Sequence, residues 1–334
     1  MAKAFVTGAA GFFGTNIIRE LVAQKWDVKA FHLPSDDLKN LSGMNIRLVE
    51  GDILDYQSLL AAIPQDGDIV IFHIAGDTSM WSKNDERQFR INVTGTANVA
   101  EAALERGVRK LVFTSSISAF GYHRSRIDEK TPSNAMTCKM NYNRTKYLAE
   151  LEIQKAVERG LDAVILNPCN MVGPYDSKGW STLIISAFND NVPAVTLGVG
   201  TFAHVRDVAK AHIRAVEKGR TGENYLLGGV EILFRDMYRE IYEMLGKSRK
   251  LRTVPTPIFR IFMYLIRFKA FLSREEPILS YPRFKRLTGN IICDDFKARS
   301  QLSFETCEIR EMLDDSRSWL LSEGLIKKDS IWES

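Results

Sequence analysis

The chain has 334 residues, of which 45% are hydrophobic and 26% charged, the balance expected of a soluble globular protein of one large or two moderate domains. That balance excludes a disordered chain, a collagen-like repeat and a multi-span membrane protein. The 45 Lys and Arg against 41 Asp and Glu leave a net charge of +4, too small and too evenly spread for a nucleic-acid binder.

Four cysteines, Cys138, Cys169, Cys293 and Cys307, stand far apart with no CxxC pair, so neither a metal site nor a disulfide framework is expected. The run Ala4-Phe5-Val6 after Met1-Ala2-Lys3 is too short for a signal-peptide core, so a cytoplasmic location is expected.

In chain order, short apolar, β-branched runs alternate with longer helical patterns. The runs predict strands at Lys3 to Thr7, Asp27 to His32, Ile46 to Glu50, Ile69 to His73, Leu111 to Thr114 and Ala163 to Asn167. Their near-continuous apolar character fits strands covered on both faces. Helices are predicted at Phe13 to Gln24, Tyr56 to Ala62, Asn84 to Arg106 and Tyr142 to Arg159. This rhythm reads as an α/β fold with a doubly wound parallel sheet over residues 1–168. Beyond Pro168 the pattern loosens into loops, with helices from Val205 to Lys218 and near Phe234 to Leu245. A smaller lobe over 169–334 is expected, with parts of 195–230 returning to the first domain.

Between the first strand and the first helix stands Thr7-Gly8-Ala9-Ala10-Gly11-Phe12-Phe13-Gly14. In that context Gly8 permits a tight turn, Gly11 lets backbone approach a pyrophosphate, and Gly14 lets the helix pack closely on the strand. The helix N-terminus adds free N–H groups and partial positive charge for phosphates.

The spacing GxxGxxG after Thr resembles the extended short-chain dehydrogenase/reductase superfamily. That resemblance implies a Rossmann-type cofactor domain and a set of companion motifs, which occur here in order. Gly51-Asp52-Ile53 matches the motif whose Asp accepts from the adenine amino group, and Ala75-Gly76 the small-residue turn against the cofactor. Asn92 matches the structural and proton-relay asparagine. Ser115-Ser116 ends the fifth predicted strand, Tyr142 and Lys146 form the YxxxK pair, and Asn167-Pro168 opens the loop over the nicotinamide, with Thr114 and Asn170 as further cofactor contacts that the resemblance implies.

Tyr142 and Lys146, at i and i+4, share a helical face. A phenol with an ordinary pKa near 10 is a poor acid-base group at pH 7. The Lys146 ammonium is expected to lower it, and by resemblance also to hold the ribose hydroxyls. Ser116 is the expected donor to the substrate oxygen, with Ser115 and Ser118 as rivals. His73 reads as a packed strand-end histidine rather than a base, and Asp207 as a helix-capping or lobe-docking residue.

An acidic residue at the end of the second strand reads the ribose of NAD, whereas an Arg there accommodates NADP. His32 and Leu33 meet neither rule. The absent carboxylate, with His32, Ser35 and Lys39 nearby, favours NADP over NAD.

The whole chain resembles the NAD-dependent epimerase/dehydratase family, near its dihydroflavonol-4-reductase-like and hopanoid-associated sugar epimerase-like branches. The resemblance implies a homodimer through the helices bearing Asn92 and Tyr142. Two reactions compete: reduction of an aldehyde or ketone, and nucleotide-sugar epimerisation with retained cofactor. Dehydration is disfavoured because Ile117-Ser118, not an acid, follows Ser116. An apolar wall of Met80, Trp81, Phe120, Met171, Trp180 and Phe202, with Ser118 as a second donor and Arg206 as the main anion partner, favours the reductase. The apolar stretch Pro257 to Leu272 is shorter than a membrane span and carries Arg260, Arg267 and Lys269. It is expected to be a packed or lid helix, with peripheral membrane contact as the alternative.

Overall fold

Among the described residues ten strands form: β1 (Lys3–Thr7), β2 (Asp27–His32), β3 (Arg47–Glu50), β4 (Ile69–His73), β5 (Lys110–Thr114), β6 (Ala163–Pro168), β7 (Asn170–Val172), β8 (Val199–His204), β9 (Asn224–Leu227) and β10 (Val230–Leu233). The computed structural model describes residues 1–65, 67–192, 194–273, 279–289 and 292–327. Seven strands form one parallel sheet in the order β3-β2-β1-β4-β5-β6-β9.

Side chains alternate across a strand with period two, and here both faces of the sheet are apolar. Ala4, Val6, Val28, Ala30, Val70, Phe72, Val112 and Leu166 pack under the helices Phe12–Ala23 and Val205–Lys218. Phe5, Phe31, Ile71, Leu111, Phe113 and Ile165 pack under Tyr56–Ala62, Gly95–Arg106 and Asn141–Glu158. This double burial explains why these strands read as continuous apolar runs.

The helix predicted from Asn84 to Arg106 is not uniform. An α-helical turn at Asp85–Phe89 passes into a π-helical turn at Arg90–Thr94 before α-helix resumes at Gly95–Arg106. Such turns often mark functional positions, and this one carries Asn92.

The smaller lobe holds a three-stranded sheet, β10-β8-β7, packed against the helices Thr182–Phe188, Phe234–Met244 and Ile309–Ser322. Its core includes Phe202, Phe234, Met237, Ile241, Met312 and Leu313. Trp180 seals one side, with its ring 5.0 Å from Phe202 and 5.7 Å from Phe234. The chain crosses between lobes repeatedly, since Val205–Lys218 and β9 lie on the large sheet while β8 and β10 build the small one.

Candidate active site

β1 lies between β2 and β4, where the strand order reverses. A crevice opens at that switch point, beyond the carboxyl ends of the strands. Gly8 turns there with φ +67°, and a Cβ on it would lie 2.6 Å from the Ala75 nitrogen. A Cβ on Gly14 would lie 2.1 Å from the Gly8 carbonyl oxygen, so the helix touches the turn backbone to backbone. Gly11 differs: its φ is −72°, and a Cβ would meet nothing closer than the Gly8 oxygen at 3.3 Å. A Cβ at this exposed position would need the Gly8 oxygen to give only slightly, so strain and packing demand glycine far less here than at Gly8 or Gly14. A side chain would instead fill the cradle in front of the helix start. The first helical bond runs from Thr15 N–H to the Gly11 carbonyl at 2.9 Å, with no side-chain cap. The Gly11 N–H is spent on the Gly8 carbonyl at 3.1 Å, which leaves the Phe12, Phe13 and Gly14 N–H groups for phosphate oxygens. Gly8, Gly11, Phe12, Phe13 and Gly14 therefore fit a dinucleotide.

Thr7 lies beneath this loop rather than in it. Its buried hydroxyl accepts from the Ile74 and Ala75 amides at 3.1 and 3.3 Å and meets His73 Nδ1 at 2.8 Å. His73 Nε2 meets the Thr96 hydroxyl at 2.9 Å, which donates to the Asn92 carbonyl at 2.6 Å. Burial, then the charge of Lys146, pulls His73 down to about 3. It is a neutral strut between strand ends, as the sequence suggests. Further along the crevice, His32 bonds the Leu33 carbonyl through Nδ1 at 3.0 Å. Asp52 accepts from the Leu54 amide at 2.9 Å, and Ile53 packs against Gly95. Gly76 lies beside Asn92 and Lys146.

The reactive cluster is built on the Asn141–Glu158 helix, where Tyr142, Lys146 and Glu150 follow at four-residue steps on one face. Tyr142 is buried, and the half-buried Ser116 stands near enough to act on its phenol. Ser115 is no rival, because its hydroxyl donates to Glu150 inside the protein. Lys146 donates to the Thr114 carbonyl at 2.9 Å and lies 5.2 Å over the Phe113 ring. Burial pulls its ammonium down to about 8, against the opposing charge of Glu150.

The expected lowering of Tyr142 by Lys146 is not what the geometry produces. Burial pushes the phenol up from its ordinary value, opposed by the Arg286 guanidinium and the Ser116 hydroxyl. Arg286 comes from the helix Tyr281–Thr288 of the small lobe and also stacks 5.4 Å over Trp180. Sequence reasoning missed it, because nothing local links it to a tyrosine 144 positions earlier. Glu150 was also missed, although its spacing from Lys146 is a usable signal. Burial raises its carboxyl, and Ser115, Asn167 and Asn224 hold it by hydrogen bonds.

Asn92 uses its amide to tie down the loop after β4. It accepts from Asp77 N–H at 2.7 Å and donates to the Asp77 carbonyl at 3.0 Å and Thr145 Oγ1 at 3.1 Å. Asn167 is fully buried in the Glu150 network, and Asn170 donates to the Thr201 carbonyl at 2.9 Å. The Thr114 hydroxyl meets His212 at 3.1 Å in the core. These side chains shape the crevice from behind.

A cleft of about 920 Å³ opens at Tyr142, between the Ser79 to Gln88 loop, Lys139 to Tyr142 and the small lobe. Trp81 lines it with Met80, as expected, but several predicted wall residues do not. Phe120 and Phe202 are buried in the cores, Met171 packs against the main core, and Trp180 packs between Phe202 and Phe234. Ser118 lends its amide to Ser116 Oγ at 3.1 Å, and neither serine is among the residues that line the cleft. Arg206 is drawn away from the cleft by Glu311 at 3.1 Å and Asp315 at 3.5 Å on the Ile309–Ser322 helix. Asp207 has the expected docking role, accepting from the Cys307 amide at 3.2 Å. The cations that do line the cleft are Lys83, Lys139 and Arg267.

A family model described as the NAD dependent epimerase/dehydratase family matches residues 4–228. The chain belongs to this family. A Synechocystis protein whose name assigns it to the dihydroflavonol 4-reductases is 30% identical over 97% of this chain and 96% of its own. Sterol demethylase protein B of Methylococcus capsulatus is 28% identical over 96% and 99%. The crystal structure of gox2253 superposes with a TM-score of 0.85 at 29% identity, covering 98% of this chain and all of that one. The epimerase/dehydratase family member described here is thus an NAD(P)-dependent oxidoreductase of the extended short-chain dehydrogenase/reductase type.

Proposed function

We propose that this enzyme reduces an aldehyde or ketone, with Tyr142 as general acid, and exchanges its cofactor each turnover. The observation that carries the reading is the Tyr142 phenol, set in the cleft wall and pushed up by burial. It holds its proton at neutral pH, as a proton donor to a forming alkoxide must. A nicotinamide dinucleotide bound at the glycine loop supplies the hydride. Tyr142 donates its proton to the carbonyl oxygen, and the Ser116 hydroxyl shares that oxygen. The Arg286 charge stabilises the phenolate left behind. Lys146 spends one N–H on Thr114 and keeps its others toward Gly76, where ribose hydroxyls would lie.

Met80, Trp81, Tyr264, Leu272, Tyr281 and Pro282 line the cleft and suit a substrate with a hydrophobic body. The reductase names of relatives, cinnamoyl-CoA reductase 1 of Oryza sativa included, support the same reaction class. NADP is the favoured cofactor. His32 stands in place of a ribose-reading carboxylate, and Asp36 and Asp37 are turned onto the Leu33 and Lys39 amides, each at 2.9 Å. Lys39 is held by Glu323 at 2.6 Å, which leaves His32 and Ser35 to meet a 2′-phosphate.

One observation favours a second reading. Lys83, Lys139 and Arg267 in the cleft could hold a diphosphate, as a nucleotide-sugar epimerase with retained cofactor requires. Denaturing the purified protein and identifying what it releases separates the two. An empty or exchangeable site with NADPH oxidised by a carbonyl panel supports the reductase, whereas stoichiometric tightly held NAD overturns it. The homodimer implied by the resemblance belongs to this reading, through the outer faces of Gly95–Arg106 and Asn141–Glu158, and sedimentation velocity tests it.

A further inference from the structure

The helix Thr256–Ser273 roofs the cleft with Tyr264, Arg267, Ala270 and Leu272. Its inner face is Phe259, Met263 and Ile266, packed on Leu279 and Phe284. Its outer face is also apolar. Ile258, Ile261, Leu265, Phe268 and Leu272, at 3-4-3-4 spacing, are between 48% and 67% exposed, and Phe262 and Tyr264 widen the stripe. Seven of the sixteen large hydrophobic residues exposed among the described residues lie on this one helix, so it is a patch and not ordinary scatter.

Charge indicates what covers the patch. From Met244 to Ser273 the chain carries seven Lys and Arg and no Asp or Glu. That segment is +7 in a chain of +4, so the rest of the molecule sums to −3. Arg260 and Arg267 flank one side of the stripe and Lys269 the other, the layout of a helix lying in a membrane interface. A second copy is a poor occupant: even with Glu243, Arg274, Glu275 and Glu276 counted at its ends the segment is +5, and it would face another +5. No helix among the described residues is long and apolar enough to cross a membrane.

We propose that the outer face of Thr256–Ser273 docks on an anionic lipid bilayer. The helix lies along the surface, with Ile261, Leu265 and Phe268 among the acyl chains and Arg260 and Lys269 at the phosphates. Tyr264 and Leu272 belong to both the patch and the cleft, so the cleft mouth opens at the lipid surface. The proposal does not depend on which reaction the cleft performs.

The test is co-sedimentation of the full chain with vesicles of phosphatidylcholine alone and of phosphatidylcholine mixed with phosphatidylglycerol. Binding should be at least tenfold stronger to the anionic vesicles and should fall as salt is raised. Replacing Ile261, Leu265 and Phe268 together by Asn should abolish it. Arg260→Gln with Lys269→Gln should weaken it about 25-fold, since each basic residue at such a surface contributes roughly a factor of five. NADPH fluorescence titration verifies that each variant is folded, and the charge variant, which leaves the apolar stripe intact, carries the test if the triple variant is not. Equal binding to both vesicle types, or none, overturns the proposal. So does a dimer that the triple variant dissociates in the absence of lipid.

Discussion

Tyr142→Phe removes one oxygen and leaves the ring. The ring is 7% exposed and phenylalanine fills the same volume, so no cavity opens. A hydrogen bond from the hydroxyl is worth only about 1 kcal/mol, and the cost of burying a polar group disappears with it. Stability should therefore change by no more than about 1 kcal/mol. The barrier to proton transfer should rise much more: a positioned acid contributes 10²- to 10⁴-fold, roughly 3 to 5 kcal/mol. Steady-state NADPH oxidation should show kcat down by at least that hundredfold with KM nearly unchanged. NADPH affinity by fluorescence titration and the thermal midpoint should stay near those of the native enzyme. A folded variant turning over within about threefold of the native rate would refute the role given to Tyr142.

Further expectations follow from other parts of the molecule. Gly11→Val should keep the thermal midpoint and weaken NADPH binding at least tenfold, whereas Gly14→Ala, which drives a Cβ to 2.1 Å from the Gly8 oxygen, should lose about 1 to 3 kcal/mol of stability. Unchanged affinity in the first variant would remove the phosphate loop from the account. Arg286→Leu should lower kcat about tenfold and shift the apparent pKa of the phenol upward in a pH-rate profile, while a change in KM alone would make Arg286 a substrate contact only. His73 and His212 are held neutral by burial, at about 3 and about 4. The unfolded chain protonates both near 6.5, so their contribution is whole above that pH and is lost as pH falls below it. Urea denaturation should show about 2 kcal/mol lost per histidine between pH 7 and pH 5, and equal stability at the two values would contradict this.

The cofactor half of the protein was legible because its signals are local. β1 and β4 are near-continuous apolar runs since both their faces are covered, and the glycine loop falls between a strand and a helix. The small lobe was less legible for the opposite reason. β8 and β10 are short mixed runs, Val-Gly-Thr-Phe-Ala-His and Val-Glu-Ile-Leu, and the second of them lies half in solvent. Arg206 reads as an anion site in the sequence because an isolated arginine shows its charge and not its partners, which stand at Glu311 and Asp315. Arg286, whose charge acts on the Tyr142 phenol, carries no motif. Its place is set by tertiary packing of the Tyr281–Thr288 helix through Phe284. The outward stripe on Thr256–Ser273 was visible as composition, but only the fold separates its buried face from its exposed one.

The central claim is net hydride transfer from an exchangeable cofactor to a carbonyl carbon, with the proton coming from Tyr142. The most direct measurement is a turnover with NADPH deuterated at the transferred position and an accepted aldehyde or ketone, read by mass spectrometry of the product. The account predicts one deuterium in the alcohol product and one equivalent of oxidised cofactor released per turnover. Product formed with no net cofactor oxidation, or deuterium returned to a cofactor that stays bound, would contradict it.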